Sequence, residues 1–234
     1  MIKQAIIPLA GLGTRLLPLT GVIPKELLPI NGKPGIEYII EECIGAGIKE
    51  IIFIISNKKI MIKNYFFIDQ FYKKIINKKK DKRILNEYKK ILKYKKMIKF
   101  VYQNSPLGTG DAVLKTKHLI KGKYFLLILP DDLIIKKNCS KKMITIHKKY
   151  KASVMASMSV NKKTVSRWGI YDIKKKLPKN NFIIKDVIEK PSTKKAPSNS
   201  AVIGRYILPR TIFNKLKKQK KGKGGEIHIT DAIQ

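Results

Sequence analysis

The sequence "AIIPLAGLGTRLLPLTGVIPKELLP" at residues 5–29 joins a short apolar run to a loop rich in glycine and proline. Its first five residues have the length and apolar character of a buried strand, and Gly11 and Gly13 follow as a Gly-x-Gly turn. Arg15 and Lys25 lie ten residues apart in this loop, among prolines that restrict the backbone. Because a glycine turn at the carboxyl end of a strand exposes backbone N–H groups, the stretch predicts an anion-binding loop.

Further apolar runs at residues 51–55, 98–102 and 124–129 predict more strands, with helical patterns between them. Apolar residues at positions 36–44 repeat every three or four residues, and Gly47 is placed to end that helix. Continuously apolar strands that alternate with helices are typical of a parallel sheet covered on both faces. The sequence therefore predicts an α/β fold.

Two parts of the chain depart from this alternation. The Lys-rich segment at residues 57–97 predicts helices inserted before the next strand. From residue 152 onward, "ASVMASMSV", "RWGIYDI", "FIIKDVIEK" and "AVIGRYIL" predict additional strands separated by Gly, Pro and Asn turns. No repeat or linker divides the sequence, so we expect a single domain over residues 1–234.

The formal net charge of +35 favours a nucleic-acid binder at first sight. However, the charge comes from lysine runs without interleaved aromatic residues, and arginine, the residue usual in base readers, occurs only at positions 15, 83, 167, 205 and 210. Lysine and isoleucine are abundant everywhere, as expected from drift toward A- and T-rich codons. We therefore expect no specific nucleic-acid partner.

Cysteine, histidine and hydropathy patterns exclude several other classes. Cys43 and Cys139 are too few for a disulfide framework, and three scattered histidines have no spacing typical of a zinc site. No apolar run approaches the roughly 20 residues of a membrane span, and no signal peptide pattern is present. These features predict a cytoplasmic protein without a membrane partner.

The Gly-x-Gly turn lacks the remaining features of two common phosphate-binding motifs. Leu16 stands where a dinucleotide-binding fingerprint requires a third glycine, and the second predicted strand ends in Ser56 and Asn57 rather than in an acidic residue. No Gly-Lys-Ser/Thr sequence is present, which excludes a P-loop. The turn is then either a polyphosphate site neutralised by Arg15 and Lys25 or an ordinary solvated loop.

A second glycine-rich turn, "QNSPLGTGDA" at residues 103–112, follows another predicted strand. The Gln103 amide offers a donor and an acceptor, which suits a pyrimidine edge, and Gly108 and Gly110 allow close backbone approach. The alternative is a β-turn that leads into a helix from Asp111.

Carboxylates follow two other predicted strands. Asp131 and Asp132 come directly after a buried strand in "LLILPDDLI", residues 126–134, where an open α/β sheet places its ligand site. A Mg²⁺ ion shared with substrate phosphates is the natural use of these oxygens, and an Asp-rich turn or helix cap is the alternative. In "VIEKP", residues 187–191, Glu189 and Lys190 can serve one ligand only if the strand has ended there.

Together and in this order, several segments resemble the bacterial UTP-glucose-1-phosphate uridylyltransferases. The matching segments are "AIIPLAGLGTRLLPLTGVIPKELLPINGKPGIEYIIEECIGAGIKEI", "QNSPLGTGDAVL", "LPDDL", "RWGIYD", "VIEKP", "PSNSAVIGRYIL" and "GEIHITDAI". The resemblance extends over all 234 residues. It implies a Rossmann-like nucleotidyltransferase fold with a mixed, mostly parallel central sheet flanked by helices. It also implies that a phosphate oxygen of glucose 1-phosphate attacks the α-phosphorus of UTP in line, giving UDP-glucose and pyrophosphate with the help of Mg²⁺.

The resemblance also implies a role for each matching residue. The implied catalytic residues are Arg15, Lys25 and Lys190. The implied nucleotide-binding residues are Ala10, Gly11, Gly13, Glu26, Gln103 and Gly108. The implied sugar-binding residues are Asp132, Gly169 and Glu189, and the implied Mg²⁺ ligand is Asp131. The absence of a Ser-His-Asp or Cys-His arrangement agrees with catalysis by positioning and charge neutralisation.

The chain departs from the family at two places. Gly21 stands where the family usually has lysine, and the sequence stops at "ITDAIQ", where members continue with another strand and a helical part that contributes to subunit contacts. We accordingly expect the C-terminal part of the family to be missing. The resemblance implies a homo-oligomer, either a dimer or a tetramer, and the missing part weakens this expectation. A catalytically weakened nucleotide- or partner-binding relative and a thymidylyltransferase are the alternative functions, because Gln103 can pair with either pyrimidine.

Overall fold

The computed structural model describes residues 1–222 and 225–233, and its centre is a sheet of eight strands. In chain order the strands are β1 (Gln4–Pro8), β2 (Pro29–Ile30), β3 (Lys33–Pro34), β4 (Glu50–Ile55), β5 (Ile98–Tyr102), β6 (Tyr124–Ile128), β7 (Val154–Ser159), β8 (Gly169–Leu177), β9 (Asn181–Glu189) and β10 (Ser200–Pro209). The short strands β2 and β3 pair only with each other, and the remaining eight form the central sheet.

The central sheet has two halves of different character. Its order is β5-β4-β1-β6-β10-β8-β9, with β7 also paired to β10. The strands β5, β4, β1 and β6 are mutually parallel and are called the parallel half below. The strands β10, β8, β9 and β7 pair antiparallel and are called the antiparallel half. The predicted α/β fold with a mixed central sheet is confirmed.

Helices cover both faces of the parallel half. They are α1 (Gly35–Gly45), α2 (Ile60–Phe66), α3 (Gln70–Lys79), α4 (Lys82–Met97), α5 (Thr109–Lys115), α6 (Cys139–Tyr150), α7 (Ile212–Lys218) and α8 (Ile229–Ile233). Gly47 adopts a φ of 83° just after α1, and its N–H donates to the carbonyl oxygen of Ile44 at 2.9 Å. A left-handed residue that satisfies the last carbonyl groups ends a helix in this way, so the predicted helix end is confirmed.

Burial on two faces explains why the parallel strands are apolar at every position. In β4, Ile51, Phe53 and Ile55 pack with α1, α2, α4 and α6, whereas Ile52 and Ile54 pack with α5, α7 and α8. Because successive side chains of a strand point to opposite faces, both sets must be apolar. The predicted strands therefore match β1, β4, β5 and β6 to within one residue at each end.

The two other segments also have the predicted secondary structure. Helices α2, α3 and α4 occupy the Lys-rich segment at residues 57–97, and β7 to β10 occupy the strand-like pieces after residue 152. The single-domain organisation stays a prediction. Within the described ranges, no helix combines the length and the apolar character needed to cross a membrane.

Candidate nucleotide site

A cavity of about 470 Å³ lies at the carboxyl ends of the four parallel strands. Ala10 and Gly11 follow β1, Ser56 follows β4, Gln103 follows β5 and Leu129 follows β6, and all of them line this cavity. Parallel strands deliver their carboxyl ends to one edge of a sheet, so segments far apart in sequence meet here. The predicted residues Lys25, Glu26, Gly108 and Asp131 line it as well.

The Gly-x-Gly turn contributes backbone to the cavity, but its arginine lies outside it. Gly11 is exposed, and a Cβ atom added there would meet no atom within 4 Å, so its backbone is open to a ligand. Gly13 has a φ of 69°, and its carbonyl oxygen accepts a 2.8 Å hydrogen bond from the Thr20 hydroxyl. Gly13 and the exposed Arg15 do not belong to the cavity lining.

The neighbouring residues Lys25 and Glu26 form ion pairs in opposite surroundings. The Lys25 ammonium pairs with Asp131, whose side chain is 61% exposed at the mouth of the cavity. Glu26 is 5% exposed, and both of its carboxylate oxygens accept 2.8 Å hydrogen bonds from the Lys59 ammonium. The Lys25–Asp131 pair is accessible to an incoming ligand or cation. The Glu26–Lys59 pair is buried in the wall of the cavity.

Lys59 was not identified from the sequence. It lies in the turn after β4 and is 4% exposed, and burial lowers its pKa against the opposing charge of Glu26. A buried lysine without a carboxylate partner is strongly unfavourable, so the two residues stabilise each other. The sequence around it, "NKKI", resembles many other lysine pairs in this chain and carries no distinguishing signal.

The Gln103 side chain is fixed with its carbonyl oxygen free. Its amide nitrogen donates to the carbonyl oxygen of Gly108 at 3.1 Å and to the Asp111 carboxylate at 2.8 Å. Both neighbours are acceptors, so the nitrogen rather than the oxygen must face them. The oxygen accepts no hydrogen bond from any described residue, which leaves an oriented acceptor on a side chain that lines the cavity. Asp111 is thus an orienting residue that the sequence analysis missed.

Ile227, which is far away in the sequence, is hydrogen-bonded to the second glycine turn. The Ile227 carbonyl accepts a 2.7 Å hydrogen bond from the Gly110 N–H, and the Ile227 N–H donates to Leu107 at 2.9 Å. A Cβ atom on Gly108 would lie 2.6 Å from the Ile227 oxygen, and Gly108 has a φ of 95°. Glycine is therefore required at this position for two independent reasons. Glu226, which precedes Ile227, lines the cavity and was also missed.

The two aspartates after β6 face different surroundings. Asp131 is exposed beside Lys25, whereas a carboxylate oxygen of Asp132 accepts a 3.0 Å hydrogen bond from the Gly204 N–H. The fully buried Arg205 guanidinium donates to the backbone carbonyl oxygens of Leu129 and Asp132 at 3.1 and 2.7 Å. It thereby holds the loop that carries both aspartates.

Arg205 itself is anchored to α1. Its guanidinium forms an ion pair with the buried Glu42 carboxylate at 2.9 Å, and the Ser140 hydroxyl donates to the same carboxylate at 2.6 Å. Burial of both charges is tolerated because hydrogen bonds saturate them. The sequence analysis counted Arg205 among the few arginines and placed it in a strand, but assigned it no role in the site.

Two of the predicted sugar-binding residues lie on the antiparallel half, and the third, Asp132, follows β6 and contacts β10. Gly169 pairs with Glu189 in the β8/β9 ladder, and a Cβ atom at Gly169 would lie 3.0 Å from a Glu189 carboxylate oxygen. Asp132 and Glu189 both act on the buried Tyr206 phenol, whose pKa is raised by burial first and then by these two negative charges. Gly169 and Glu189 are therefore neighbours, and the Asp132 and Glu189 carboxylates both influence Tyr206.

Lys190 lies at the end of β9 and outside the cavity lining. Its φ of 47° and the 3.0 Å hydrogen bond from its N–H to the Trp168 carbonyl oxygen mark the point at which the strand has ended. Its ammonium is 3.7 Å from the Glu189 carboxylate, and both side chains are more than half exposed. Because the strand ends here, the side chains of Glu189 and Lys190 can face the same ligand.

The predicted Mg²⁺ site consists of a single protein carboxylate. In the part of the chain that the structure describes, no three His, Cys, Asp or Glu side chains are grouped to hold a metal ion. Mg²⁺ characteristically uses one or two carboxylates and takes its remaining ligands from substrate phosphates and water. The exposed Asp131 carboxylate, which already attracts the Lys25 cation, fits this kind of binding.

A mixed α/β sheet with a glycine turn and an oriented amide at the carboxyl edge of its parallel strands is typical of nucleotide-binding proteins. Residues 4–234 match the nucleotidyl transferase family, and the chain belongs to this family.

Three similar proteins are named for the formation of UDP-glucose or for the binding of UTP. UTP–glucose-1-phosphate uridylyltransferase 2 of Staphylococcus saprophyticus is 37% identical over 234 residues, which are 100% of this chain and 80% of the relative. A UDP-glucose pyrophosphorylase solved in complex with UDP-glucose is 39% identical with a TM-score of 0.86, covering 100% of this chain and 86% of that chain. The UTP-bound UGPase from Acinetobacter baumannii is 34% identical with a TM-score of 0.89, covering 100% and 81%. The predicted family and enzyme class are confirmed.

Proposed function

We propose that this protein transfers the uridylyl group of UTP to glucose 1-phosphate, giving UDP-glucose and pyrophosphate. The observation that carries the proposal is the cavity at the carboxyl ends of the parallel strands, which combines the free carbonyl oxygen of Gln103 with the accessible Lys25–Asp131 pair. Relatives with 34% to 39% identity over the whole chain include a UTP-bound enzyme and a UDP-glucose complex.

The base and the ribose bind in the cavity of the parallel half. Gln103 accepts the N3–H of uracil, while Gly108 and the backbone of Ala10 and Gly11 lie against the nucleoside. Glu26 binds near the nucleoside too, although its carboxylate is held by Lys59. Asp111 keeps the Gln103 oxygen directed toward the base rather than toward the protein.

The triphosphate lies at the mouth of the cavity. Lys25 exchanges Asp131 for the phosphate oxygens, and Arg15 and the backbone around Gly13 approach the same anion from the exposed glycine turn. Asp131 would hold a Mg²⁺ ion together with the phosphates, and such an ion would neutralise charge on the transferring phosphoryl group. Because Lys25 moves to the phosphates, the Asp131 carboxylate would be free to bind the ion.

Glucose 1-phosphate binds from the antiparallel half. Asp132, Gly169 and Glu189 contact the sugar, and Lys190 bridges to the sugar phosphate or the α-phosphate. A phosphate oxygen of the sugar forms the new bond to the α-phosphorus as the bond to pyrophosphate breaks. Catalysis then consists of orienting two anions and neutralising their charge, without a covalent intermediate on the protein.

The direct test incubates the protein with UTP, glucose 1-phosphate and Mg²⁺ and measures both pyrophosphate and UDP-glucose. We expect turnover by the wild type and a loss of about 100-fold or more in Asp131→Asn. Asp186→Asn, which changes an exposed carboxylate of β9 outside the cavity, is the matched control and should retain activity. Binding of UTP without turnover by the wild type would support a non-catalytic relative, and faster turnover of dTTP than of UTP would support a thymidylyltransferase.

A further inference from the structure

Two buried, opposite charges lie at the wall of the nucleotide cavity. Glu26 lines the cavity with a side chain that is 2% exposed, and the side chain of its partner Lys59 is 5% exposed. Each Glu26 carboxylate oxygen accepts a hydrogen bond of 2.8 Å from the Lys59 ammonium. Because two charges are costly to remove from water, apolar side chains in their place often stabilise a protein as well or better. Stability alone is therefore a weak reason for a buried ion pair at this place.

Glu26 is the immediate neighbour of a cation that the proposed function assigns to the triphosphate. Lys25 and Glu26 share the turn Lys25–Leu27, so their Cα atoms are about 3.8 Å apart. The Lys25 ammonium pairs with Asp131 rather than with Glu26, whose two oxygens are engaged by Lys59. Lys25 thus has an exposed partner, which an incoming phosphate can replace.

The charges around Lys59 are close enough to influence one another. Burial lowers the pKa of Lys59 most strongly, and the Glu26 carboxylate opposes this shift. Lys25 and Asp131 act on the same ammonium group, so its surroundings include the ion pair at the mouth of the cavity. A change of charge at Lys59 or Glu26 will therefore be felt where the triphosphate is proposed to bind.

The balance of these charges matters because UTP is a polyanion. A Glu26 carboxylate without its cation would attract Lys25 away from the phosphates and would also repel the phosphates. Burial reduces the screening of both effects by water and salt. When Glu26 is paired with Lys59, the two residues carry no net charge, and Lys25 stays available to the triphosphate.

We propose that Lys59 is a positioning residue for UTP, because it occupies Glu26 and keeps this carboxylate from capturing Lys25 and from repelling the triphosphate. The inference rests on the proposed function and adds to it a residue that acts on the phosphates without touching them. Lys59 is 4% exposed, so its effect passes through Glu26 and Lys25.

The test compares the Kd for UTP with the Kd for uridine, which has the same base and ribose but no phosphates. Calorimetry measures UTP binding and ligand-observed NMR measures uridine binding, both without Mg²⁺, in low salt and at about pH 7.5, where carboxylates are ionised. The Kd for uridine divided by the Kd for UTP is called the phosphate gain below. This ratio separates the contribution of the triphosphate from that of the base and the ribose.

We expect the two single variants of the pair to differ. Lys59→Met leaves the Glu26 carboxylate without its cation and should reduce the phosphate gain about tenfold or more. Glu26→Gln removes the carboxylate and should not reduce the gain. The double variant Lys59→Met/Glu26→Gln carries neither charge, and its gain should return to within about twofold of the wild type.

Lys99→Met is the matched control. Lys99 is also paired with a carboxylate, that of Glu50, but at the end of the strands opposite the cavity. The control loses the same charge from the protein, and its phosphate gain should be unchanged. Melting temperatures without ligand show which variants are folded. If Lys59→Met does not fold, Lys59→Gln replaces it, because glutamine can still donate a hydrogen bond to Glu26.

Three results would overturn the inference. In the first, Lys59→Met weakens UTP and uridine binding equally, which assigns Lys59 a structural role and leaves the proposed function intact. In the second, Glu26→Gln loses the phosphate gain or the double variant fails to recover it, which shows that the carboxylate is not the cause of the loss. In the third, the wild type fails to bind UTP, which overturns the proposed function and this inference together.

Discussion

The two halves of the sheet hold their polar residues in different ways. In the parallel half, Glu26 and Gln103 are buried, and their side chains are fixed by hydrogen bonds of 2.8 Å to Lys59 and Asp111. In the antiparallel half, the Glu189 and Lys190 side chains are 55% and 57% exposed and approach each other only to 3.7 Å. Desolvated, saturated groups keep their geometry without a ligand, whereas exposed ion pairs contribute little order.

This difference agrees with the proposal that the two halves bind different substrates. Because the side chains of the cavity are already held by hydrogen bonds, the proposed function implies that little ordering is needed when the base of UTP binds. If the proposed function is right, we expect the residues on the antiparallel side to gain order when the sugar phosphate binds. Arg205 connects the two halves because it belongs to β10, contacts the loop after β6 and pairs with Glu42 of α1.

The largest loss of stability is expected when Arg205, which connects the two halves, is replaced. Arg205→Met leaves the buried Glu42 carboxylate without its cation, and we expect a loss of about 3–5 kcal/mol in the free energy of unfolding. Urea denaturation followed by circular dichroism measures this loss. The double variant Arg205→Met/Glu42→Leu removes the uncompensated charge and should recover part of it. A single variant less than about 1 kcal/mol below the wild type would mean that Arg205 does not connect the halves.

A smaller loss of stability is expected at Gly108, where Ile227 packs against the second glycine turn. In Gly108→Ala, the new methyl group would lie 2.6 Å from the Ile227 oxygen and 2.9 Å from Glu226, and the residue would also have to keep its φ of 95°. Gly47→Ala is the matched control, because its φ is 83° but no atom lies within 4 Å. We expect the control to lose about 1 kcal/mol from backbone strain and Gly108→Ala to lose about 1–3 kcal/mol more.

The same comparison applies to function. Gly108→Ala should raise the KM for UTP, while Gly47→Ala should leave it unchanged, because Gly47 lies outside the cavity. Equal destabilisation of the two variants would show that the contact with Ile227 is unimportant and that only the positive φ matters.

The smallest loss of stability is expected at Glu50, which begins β4 at the end of the strands opposite the cavity. Burial would raise the pKa of Glu50, but hydrogen bonds from Lys99 and Gln4 outweigh it and lower the pKa overall. The resulting stabilisation is present above the unfolded-state pKa of roughly 4.3 and is lost as pH falls through the lower folded-state value. Glu50→Gln should therefore reduce stability at neutral pH and flatten its dependence on pH below this range, with unchanged activity.

Denaturation at pH 7 and at pH 3 measures this dependence. Lys99→Met, which removes a partner of Glu50 while retaining the carboxylate, should give the same direction of change. An identical loss of stability in Glu50→Gln at both pH values would contradict the assignment.

Local patterns were sufficient to predict the strands of the central sheet and the helix α1, because the period of apolar residues depends only on which faces are buried, whereas the short pair β2 and β3 was not predicted. The glycine turns and Asp131 were also recognisable, since they follow strands whose carboxyl ends must share one edge. The resemblance to a known family, rather than any spacing, supplied the individual roles of Gly169 and Glu189. Those roles stay predictions.

The supporting residues could not be predicted from the sequence. Lys59 meets Glu26 across 33 residues and Arg205 meets Glu42 across 163, so both pairs depend on how the chain crosses between layers. Lys59 is one of many lysines, and only burial distinguishes it. Ser56 was noted for what it excluded, an acidic residue after the second strand, and its unpaired hydroxyl becomes visible only in three dimensions.

The most direct test of the division between the halves is a comparison of Gln103→Ala with Glu189→Ala. Steady-state kinetics should be measured with UTP varied at saturating glucose 1-phosphate and then with the sugar phosphate varied at saturating UTP. We predict that Gln103→Ala raises the KM for UTP alone and that Glu189→Ala raises the KM for glucose 1-phosphate alone. If both variants raise the KM of the same substrate, the two halves do not bind separate substrates and the account is wrong.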